Sequence, residues 1–128
     1  MAAPSLEVGK KLAELCKQGK FQDAVESLYS PNIVSIEAVA MPQNPARLQG
    51  IDAIRKKNQQ FMENHTVHGC TVTGPFPNGD KFVVFFGLDV TAKAGPMAGK
   101  RMKMDEAALY TVQNGKITQE EFFYDMGG

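Results

Sequence analysis

The sequence predicts an α+β fold in which three N-terminal helices pack on a mainly antiparallel sheet. The first half of the chain contains three segments whose apolar residues have helical spacing, with one short apolar strand between the second and the third. The second half contains four strand-like segments separated by turn sequences that suit hairpins. A chain of 128 residues fits a single domain over residues 1–128.

The three predicted helices are amphipathic. From Ser5 to Gln18 the apolar residues keep rough helical spacing, and Gly19 is placed to end the first helix. "KFQDAVESLYS" repeats the pattern, and Pro31 should end this second helix because proline disfavours the helical conformation of the residue before it. After a loop with Pro42 and Pro45, "GIDAIRKKNQQFMENH" predicts the third helix.

The four later strands are predicted at approximately 66–74, 80–92, 101–113 and 116–126, joined by "PFPNGD", "KAGPMAG" and "QNG". They should form an antiparallel meander. In "KFVVFFGLDVTA" both faces are apolar, with Phe86 on one side and Val83 and Phe85 on the other. Since a sheet with one face in water alternates more cleanly, we expect a homodimer formed through the sheet.

Composition excludes several classes of protein. The 14 basic and 14 acidic residues cancel, and "GKRMKM" is the one local basic cluster, so nucleic acid is not expected as a partner. No apolar run reaches the length of a spanning helix and "MAAPSLEVGKK" does not resemble a signal peptide, so we expect no membrane association and a cytoplasmic location. Cys16 and Cys70 lack metal-ligand or disulfide-framework spacing and are expected to be small buried hydrophobes.

One carboxylate interrupts the apolar strand "SPNIVSIEAVAMP", at Glu37. An ionised carboxylate withdrawn from water costs several kcal/mol unless it is paired, hydrogen-bonded or protonated. Glu37 therefore lies on a pocket wall, at an exposed edge, or in an ion pair.

The order of elements, together with three stretches, resembles the nuclear transport factor 2-like superfamily, also called SnoaL-like or cystatin-like α+β cones. The stretches are "GKFQDAVESLYSPNIVSIEA", "GIDAIRKKNQQFM" and "YTVQNGKITQEEFFYD". The resemblance covers roughly residues 5–126 and implies a strongly curved sheet that forms a cone with a central pocket for an apolar small molecule. Because this scaffold hosts isomerases, cyclases, dehydratases and non-catalytic proteins, the function must come from the site.

The resemblance also implies site residues. Glu37 is similar in position to the carboxylate base of ketosteroid isomerase-like members, and Glu106 in "MKMDEAALY" matches the place of their protonated acid. If both face the cavity, their repulsion would keep one of them protonated. Asp125 is the nearest equivalent of the late catalytic acid of SnoaL-like cyclases. Leu12 replaces the isomerases' hydrogen-bonding tyrosine and cannot donate, so ketosteroid isomerase activity itself is not expected.

Other residues are expected to contact the ligand rather than react with it. Tyr29 and Tyr110 could supply a phenol or belong to the core, and Phe86 and Met104 provide apolar surface near the expected mouth of the cone. The sequence contains no Gly-rich phosphate loop and no metal-ligand spacing, so we expect neither a cofactor nor a metal.

Two interpretations of the function remain open. In the first, the protein is a cofactor-independent isomerase, cyclase or dehydratase that acts on an apolar, carbonyl-bearing molecule, with Glu37 as base and Glu106 as acid or partner. In the second, it is a non-catalytic module that binds a hydrophobic ligand or dimerises. The acids would then be structural, with Glu37 bonded to backbone amides or paired with Arg47, Arg55 or Lys103.

Overall fold

The structure is a computed structural model that describes residues 4–41 and 44–125. The predicted loop residue Pro42 and the predicted strand end at 126 lie outside these residues. In chain order the described elements are α1 (Pro4–Lys17), α2 (Phe21–Leu28), β1 (Tyr29–Ile36), β2 (Arg47–Gln49), α3 (Ile51–Asn64), β3 (His65–Asn78), β4 (Lys81–Ala92), β5 (Arg101–Gln113) and β6 (Lys116–Phe123).

The six strands form one mixed sheet in the order β2-β1-β6-β5-β4-β3. Strands β3, β4, β5 and β6 pair with one another in antiparallel order, which confirms the predicted meander. Strand β1 lies parallel to β6, with Ser35 opposite Glu120, and places the first strand of the chain beside the last. The α+β fold class is confirmed.

The core lies between the helices and one face of the sheet, which we call the inner face. Val8, Leu12 and Cys16 are spaced one helical turn apart and are buried on the side of α1 that packs on β3 and β4. Alternate residues of β4 supply the inner face, and the Phe82 ring stacks on Tyr110 with ring centroids 4.9 Å apart. The buried hydrophobic cluster contains Val8, Leu12, Cys16, Ala24, Val25, Leu28, Tyr29, Ile33, Ile54, Phe82, Val84, Phe86, Ala108, Tyr110, Val112 and Ile117.

A glycine allows α1 to approach the sheet closely. Gly9 is buried, and a Cβ atom at this position would lie 2.8 Å from Cβ of Pro75 and 3.1 Å from the Phe82 ring. Real Cβ contacts are longer, so only glycine fits here without movement of the neighbouring side chains.

Three local predictions differ from the structure. Helix α2 ends at Leu28, before Pro31 is reached, because the chain already enters β1 there. The predicted turn "PFPNGD" is shorter than expected, since β3 continues to Asn78 across a register shift between Thr73 and Phe76. The loop before α3 contains the three-residue strand β2, which was not predicted from the sequence.

The other face of the sheet, which we call the outer face, points away from the helices. Three aromatic side chains lie on this face: Phe76 is 52% exposed, Phe85 is 49% exposed and Phe123 is 50% exposed. The described residues of the chain therefore leave three aromatic side chains largely uncovered.

Candidate functional site

Polar side chains gather on the inner face where the parallel strands β1 and β6 meet. Tyr29 begins β1, Ser35 lies opposite Glu120 of β6, and Glu37 directly follows the end of β1. Tyr29, Ser35 and Glu120 are all buried. Since residues two apart on a strand share a face, Ser35 and Glu37 point the same way.

Lys57 of α3 supplies the positive charge of this group. It lies three residues after the buried Ile54 and so shares the packed side of the helix. Its Nζ atom donates hydrogen bonds to Ser35 Oγ at 2.7 Å and to Glu37 Oε1 at 3.0 Å. The same atom lies 3.6 Å from Glu120 Oε2 and 5.2 Å from the centroid of the Phe122 ring.

Glu120 is the most deeply buried carboxylate of the site, with 2% of the residue exposed. The Tyr29 hydroxyl donates to Glu120 Oε1, and Ser35 Oγ donates to Glu120 Oε2 at 2.7 Å. Burial, reinforced by the nearby Glu120 charge, raises the pKa of Tyr29 well above its usual value. Tyr29 therefore keeps its proton and remains a hydrogen-bond donor.

Glu37 is held from two sides. Lys57 donates to Oε1, and the hydroxyl of Tyr124 donates to Oε2 at 3.0 Å. The side chains of Lys57 and Glu37 are 15% and 19% exposed, so the carboxylate faces the protein and not bulk solvent. The sequence left three environments open for Glu37: a pocket wall, an exposed edge or an ion pair. The structure shows the ion pair, with Lys57 as the partner.

The predicted ion-pair partners of Glu37 were wrong. Arg55 instead binds Glu26 and Asp52 at the surface, at 2.6 and 2.7 Å. Arg47 and Lys103 are exposed and form no ion pair among the described residues. The partner is Lys57 because the packed side of α3 faces the end of β1.

Glu106 completes the group from β5. It lies opposite Phe86, two residues from Ala108, which is opposite Phe122. No residue in the described ranges donates a hydrogen bond to its carboxyl group. Burial raises the pKa of Glu106 to about 7, with a further contribution from the charges of Glu37 and Glu120, while Lys57 acts in the opposite direction.

Most of the residues predicted for ligand contact lie on the inner face. Tyr110 is buried opposite Glu120, Phe86 is buried opposite Glu106, and Met104 is half-buried on the face of Glu106. Asp125, in contrast, is exposed and lies beyond the end of β6, so its catalytic role stays a prediction.

Lys57 and Glu120 were not predicted as site residues. Both could be found in the sequence by their place in an apolar pattern. Lys57 lies three residues after Ile54 and four before Phe61, on the apolar side of its helix, and Glu120 alternates with Phe122 and Tyr124.

The outer face carries two open concavities, of 370 and 440 Å³. The lining of the first includes Phe85 and Phe123 and also Phe86 and Glu106 of the candidate site. The second is lined by residues that include Asp89 and Arg101, whose guanidinium binds Asp89 at 2.8 Å. The first concavity therefore reaches Glu106, whereas no lining residue of the second belongs to the inner polar group.

The described residues contain neither a cluster of metal-ligating side chains nor a membrane-spanning helix. Within residues 4–41 and 44–125, no group of three or more His, Cys, Asp or Glu side chains is arranged to hold a metal ion. No helix in the same ranges is both long and apolar enough to cross a membrane.

Residues 4–124 match the family described as the SnoaL-like domain. A solved protein from Mesorhizobium loti, provisionally named a SnoaL-like polyketide cyclase, is 47% identical, with a TM-score of 0.83 over 92% of this chain and 97% of that chain. A provisionally named SnoaL-like polyketide cyclase from a Jannaschia species is 18% identical, with a TM-score of 0.76 over 96% and 86% of the two chains.

A protein of unknown function with a cystatin-like fold, from Xanthomonas campestris, is 15% identical, with a TM-score of 0.74 over 93% of this chain and 88% of that chain. At such identities the Jannaschia and Xanthomonas proteins establish the fold alone. The comparison with curated proteins gave no match.

Proposed function

Since the chain belongs to the SnoaL-like domain family, we propose that it binds an apolar, carbonyl-bearing small molecule at the inner polar group and moves a proton on it. The reaction would be that of a cofactor-independent isomerase, cyclase or dehydratase. Such chemistry requires a carboxylate that accepts a proton and an acidic group that donates a hydrogen bond, and we assign these two roles to Glu37 and Glu106.

The observation that carries the proposal is the state of Glu106. A carboxyl group with a pKa of about 7 is divided between its protonated and ionised forms at neutral pH, so it can give or take a proton there. Because no described residue donates a hydrogen bond to it, its oxygens remain available to a ligand. Its position beside Phe86 and Met104 supplies the apolar surroundings that an uncharged substrate would contact.

In the proposed step, Glu37 takes a proton from the carbon next to the carbonyl group. The electron pair of the broken C–H bond moves to the carbonyl oxygen, and protonated Glu106 stabilises the developing charge by a hydrogen bond. Lys57 and Tyr124 each occupy one Glu37 oxygen, and each oxygen keeps a second lone pair for the substrate proton. The proton then returns to the product, and no oxidant or cofactor is needed.

Exchange of substrate hydrogen for deuterium tests this step before the natural substrate is known. A panel of apolar ketones and β-dicarbonyl compounds is incubated with the protein in D₂O, and exchange next to the carbonyl group is followed by NMR. We expect acceleration by the wild type and a loss of about a hundredfold in Glu37→Gln and Glu106→Gln. Asp105→Asn is the matched control, since Asp105 is exposed and adjacent to Glu106 on the opposite face of β5.

The proposal is rejected if no compound of the panel exchanges faster than in buffer, or if Glu106→Gln keeps the wild-type rate. Binding of the same compounds without exchange would favour the alternative function, a non-catalytic module for a hydrophobic ligand.

One observation favours the dimerisation part of that alternative. Phe76 and Phe85 contact each other on the outer face with ring centroids 6.0 Å apart, and both are about half exposed. We therefore propose a homodimer formed through this face, which would remove the aromatic surface from water. Light scattering should give twice the 14.0 kDa mass of the chain at micromolar concentration.

The dimer is tested by placing a charge on the outer face. Phe85→Lys should shift the protein to monomer, because the new charge would be buried at the interface. Val39→Lys is the control, since Val39 is 38% exposed but follows β1. A monomeric wild type, or a Phe85→Lys variant that stays dimeric, contradicts the proposal.

A further inference from the structure

We propose that Lys57 and Glu120 are positioning residues of this site. Glu120 and Ser35 fix the ammonium group of Lys57, and the ammonium group holds the Glu37 carboxylate that accepts the substrate proton, while the charges of Lys57 and Glu120 also act on Glu106. The inference rests on the proposed function for the roles of Glu37 and Glu106, but it has a readout that does not depend on turnover.

The contacts of Lys57 show that it acts through other residues. An ammonium group has three N–H donors. One is used on Ser35 Oγ and one on Glu37 Oε1, and the ammonium nitrogen lies 3.6 Å from Glu120 Oε2. With the side chain only 15% exposed, Lys57 has little capacity to bind a ligand and much capacity to hold Glu37.

Glu120 is still less accessible, and its hydrogen bonds come from Tyr29 and Ser35. A buried ion pair is weak evidence for stability, because the cost of removing both charges from water offsets their attraction. A pair of apolar side chains at positions 57 and 120 would hold α3 against the sheet as well. We therefore attribute to Lys57 and Glu120 the orientation of the Glu37 carboxylate and an influence on the protonation of Glu106.

The charges around Glu106 make this attribution testable. The titratable groups that face it are Glu37 after β1, Lys57 from α3, Cys70 from β3, Tyr110 from its own strand, and Glu120 and Tyr124 from the β6 side. From β4 it meets the ring of Phe86. Lys57 lowers the pKa of Glu106, whereas Glu37 and Glu120 raise it. Removing the charge of Lys57 and removing that of Glu120 should therefore have opposite effects.

The experiment is an NMR titration of the full chain labelled with ¹³C at the glutamate carboxyl groups, with the Glu106 signal assigned by its absence in Glu106→Gln. We expect the titration midpoint of Glu106 to rise in Lys57→Met and to fall in Glu120→Gln, each by about half a pH unit or more. Arg55→Met is the matched control. It removes one positive charge from the same helix at the surface and should leave the midpoint unchanged.

Lys57→Met leaves a buried carboxylate without its cation and could fail to fold. The double variant Lys57→Met/Glu120→Gln removes both charges and should fold, with a midpoint near that of the wild type because the two shifts cancel. Lys57→Arg keeps the positive charge, so the titration midpoint of Glu106 in this variant should stay below that in Lys57→Met. For a compound that exchanges, Lys57→Met or the double variant should lower kcat about tenfold or more, with a smaller change in KM, because Glu37 is displaced.

Midpoints in Lys57→Met and Glu120→Gln that equal that of Arg55→Met, or that move in the same direction, would overturn the inference. Failure of the proposed function is recognised separately, as wild-type exchange rates in Glu106→Gln, whatever the titration shows.

Discussion

Replacement of Glu106 by Gln should stabilise the protein at and above neutral pH and leave its stability unchanged in acid. Gln has the shape of a protonated glutamate and cannot ionise. The wild type and the variant therefore differ only where the wild-type carboxyl group would carry a charge. Any difference in their free energies of unfolding reports the cost of that charge in the folded protein.

The size of the effect follows from the pKa of Glu106, which is about 7 in the folded protein against an ordinary value of 4.5. Below both values the group is protonated in the folded and unfolded states and has no effect. Between these two pKa values the folded state holds one proton more than the unfolded state. The free energy of unfolding therefore falls by about 1.4 kcal/mol for each unit by which the pH rises. Above both, the loss is complete and amounts to about 3 kcal/mol.

Urea unfolding of both proteins from about pH 4 to about pH 8 measures this difference. The advantage of Glu106→Gln should grow from near zero to about 3 kcal/mol across this range. Asp105→Asn, which changes an exposed carboxylate one residue away, should show no such trend.

A constant difference between the wild type and Glu106→Gln would refute the reasoning, because Glu106 would then ionise as it does in the unfolded chain. An advantage that grows toward low pH would refute it as well, since it would mean that the folded state favours the ionised form.

Two further predictions concern packing and the buried hydrogen bonds. Gly9→Ala should destabilise the protein by about 1–3 kcal/mol in urea unfolding, because its Cβ would meet Pro75 at 2.8 Å, whereas Gly69→Ala has no atom within 4 Å and should change little. Equal stabilities of the two variants would contradict the close approach of α1 to the sheet. Tyr29→Phe should lower the free energy of unfolding by about 1–3 kcal/mol in the same measurement, because it leaves an oxygen of buried Glu120 without its donor. A variant as stable as the wild type would show that this hydrogen bond does not contribute to stability.

Local patterns predicted the order of the elements well. Helical spacing located all three helices, and turn sequences located the four strands of the meander. The strand β2 was missed because its three residues are too few to establish an alternation. The parallel pairing of β1 with β6 was not predicted, because the local residue pattern of a strand does not indicate which distant strand it pairs with.

The site was only partly predictable for the same reason. Glu37 stood out because a carboxylate is unusual in an apolar strand, but the sequence left a pocket wall, an exposed edge and an ion pair all open. Its partner Lys57 is 20 residues away on a helix, and three basic residues elsewhere were equally compatible with the sequence. Alternation correctly divided the last strand into the faces of Glu120 and Glu121, but it does not state which face meets the helices.

The pairing of β1 with β6 also determines when the site can form during protein synthesis. Tyr29 and Glu120 are separated by 91 positions, so the ribosome must deliver all the residues between them before this hydrogen bond exists. Closure of so long a loop is entropically costly and slow, and the nascent β1 lacks its parallel neighbour until β6 has been synthesised. Assembly of the acidic centre is therefore a late event, coupled to completion of the sheet.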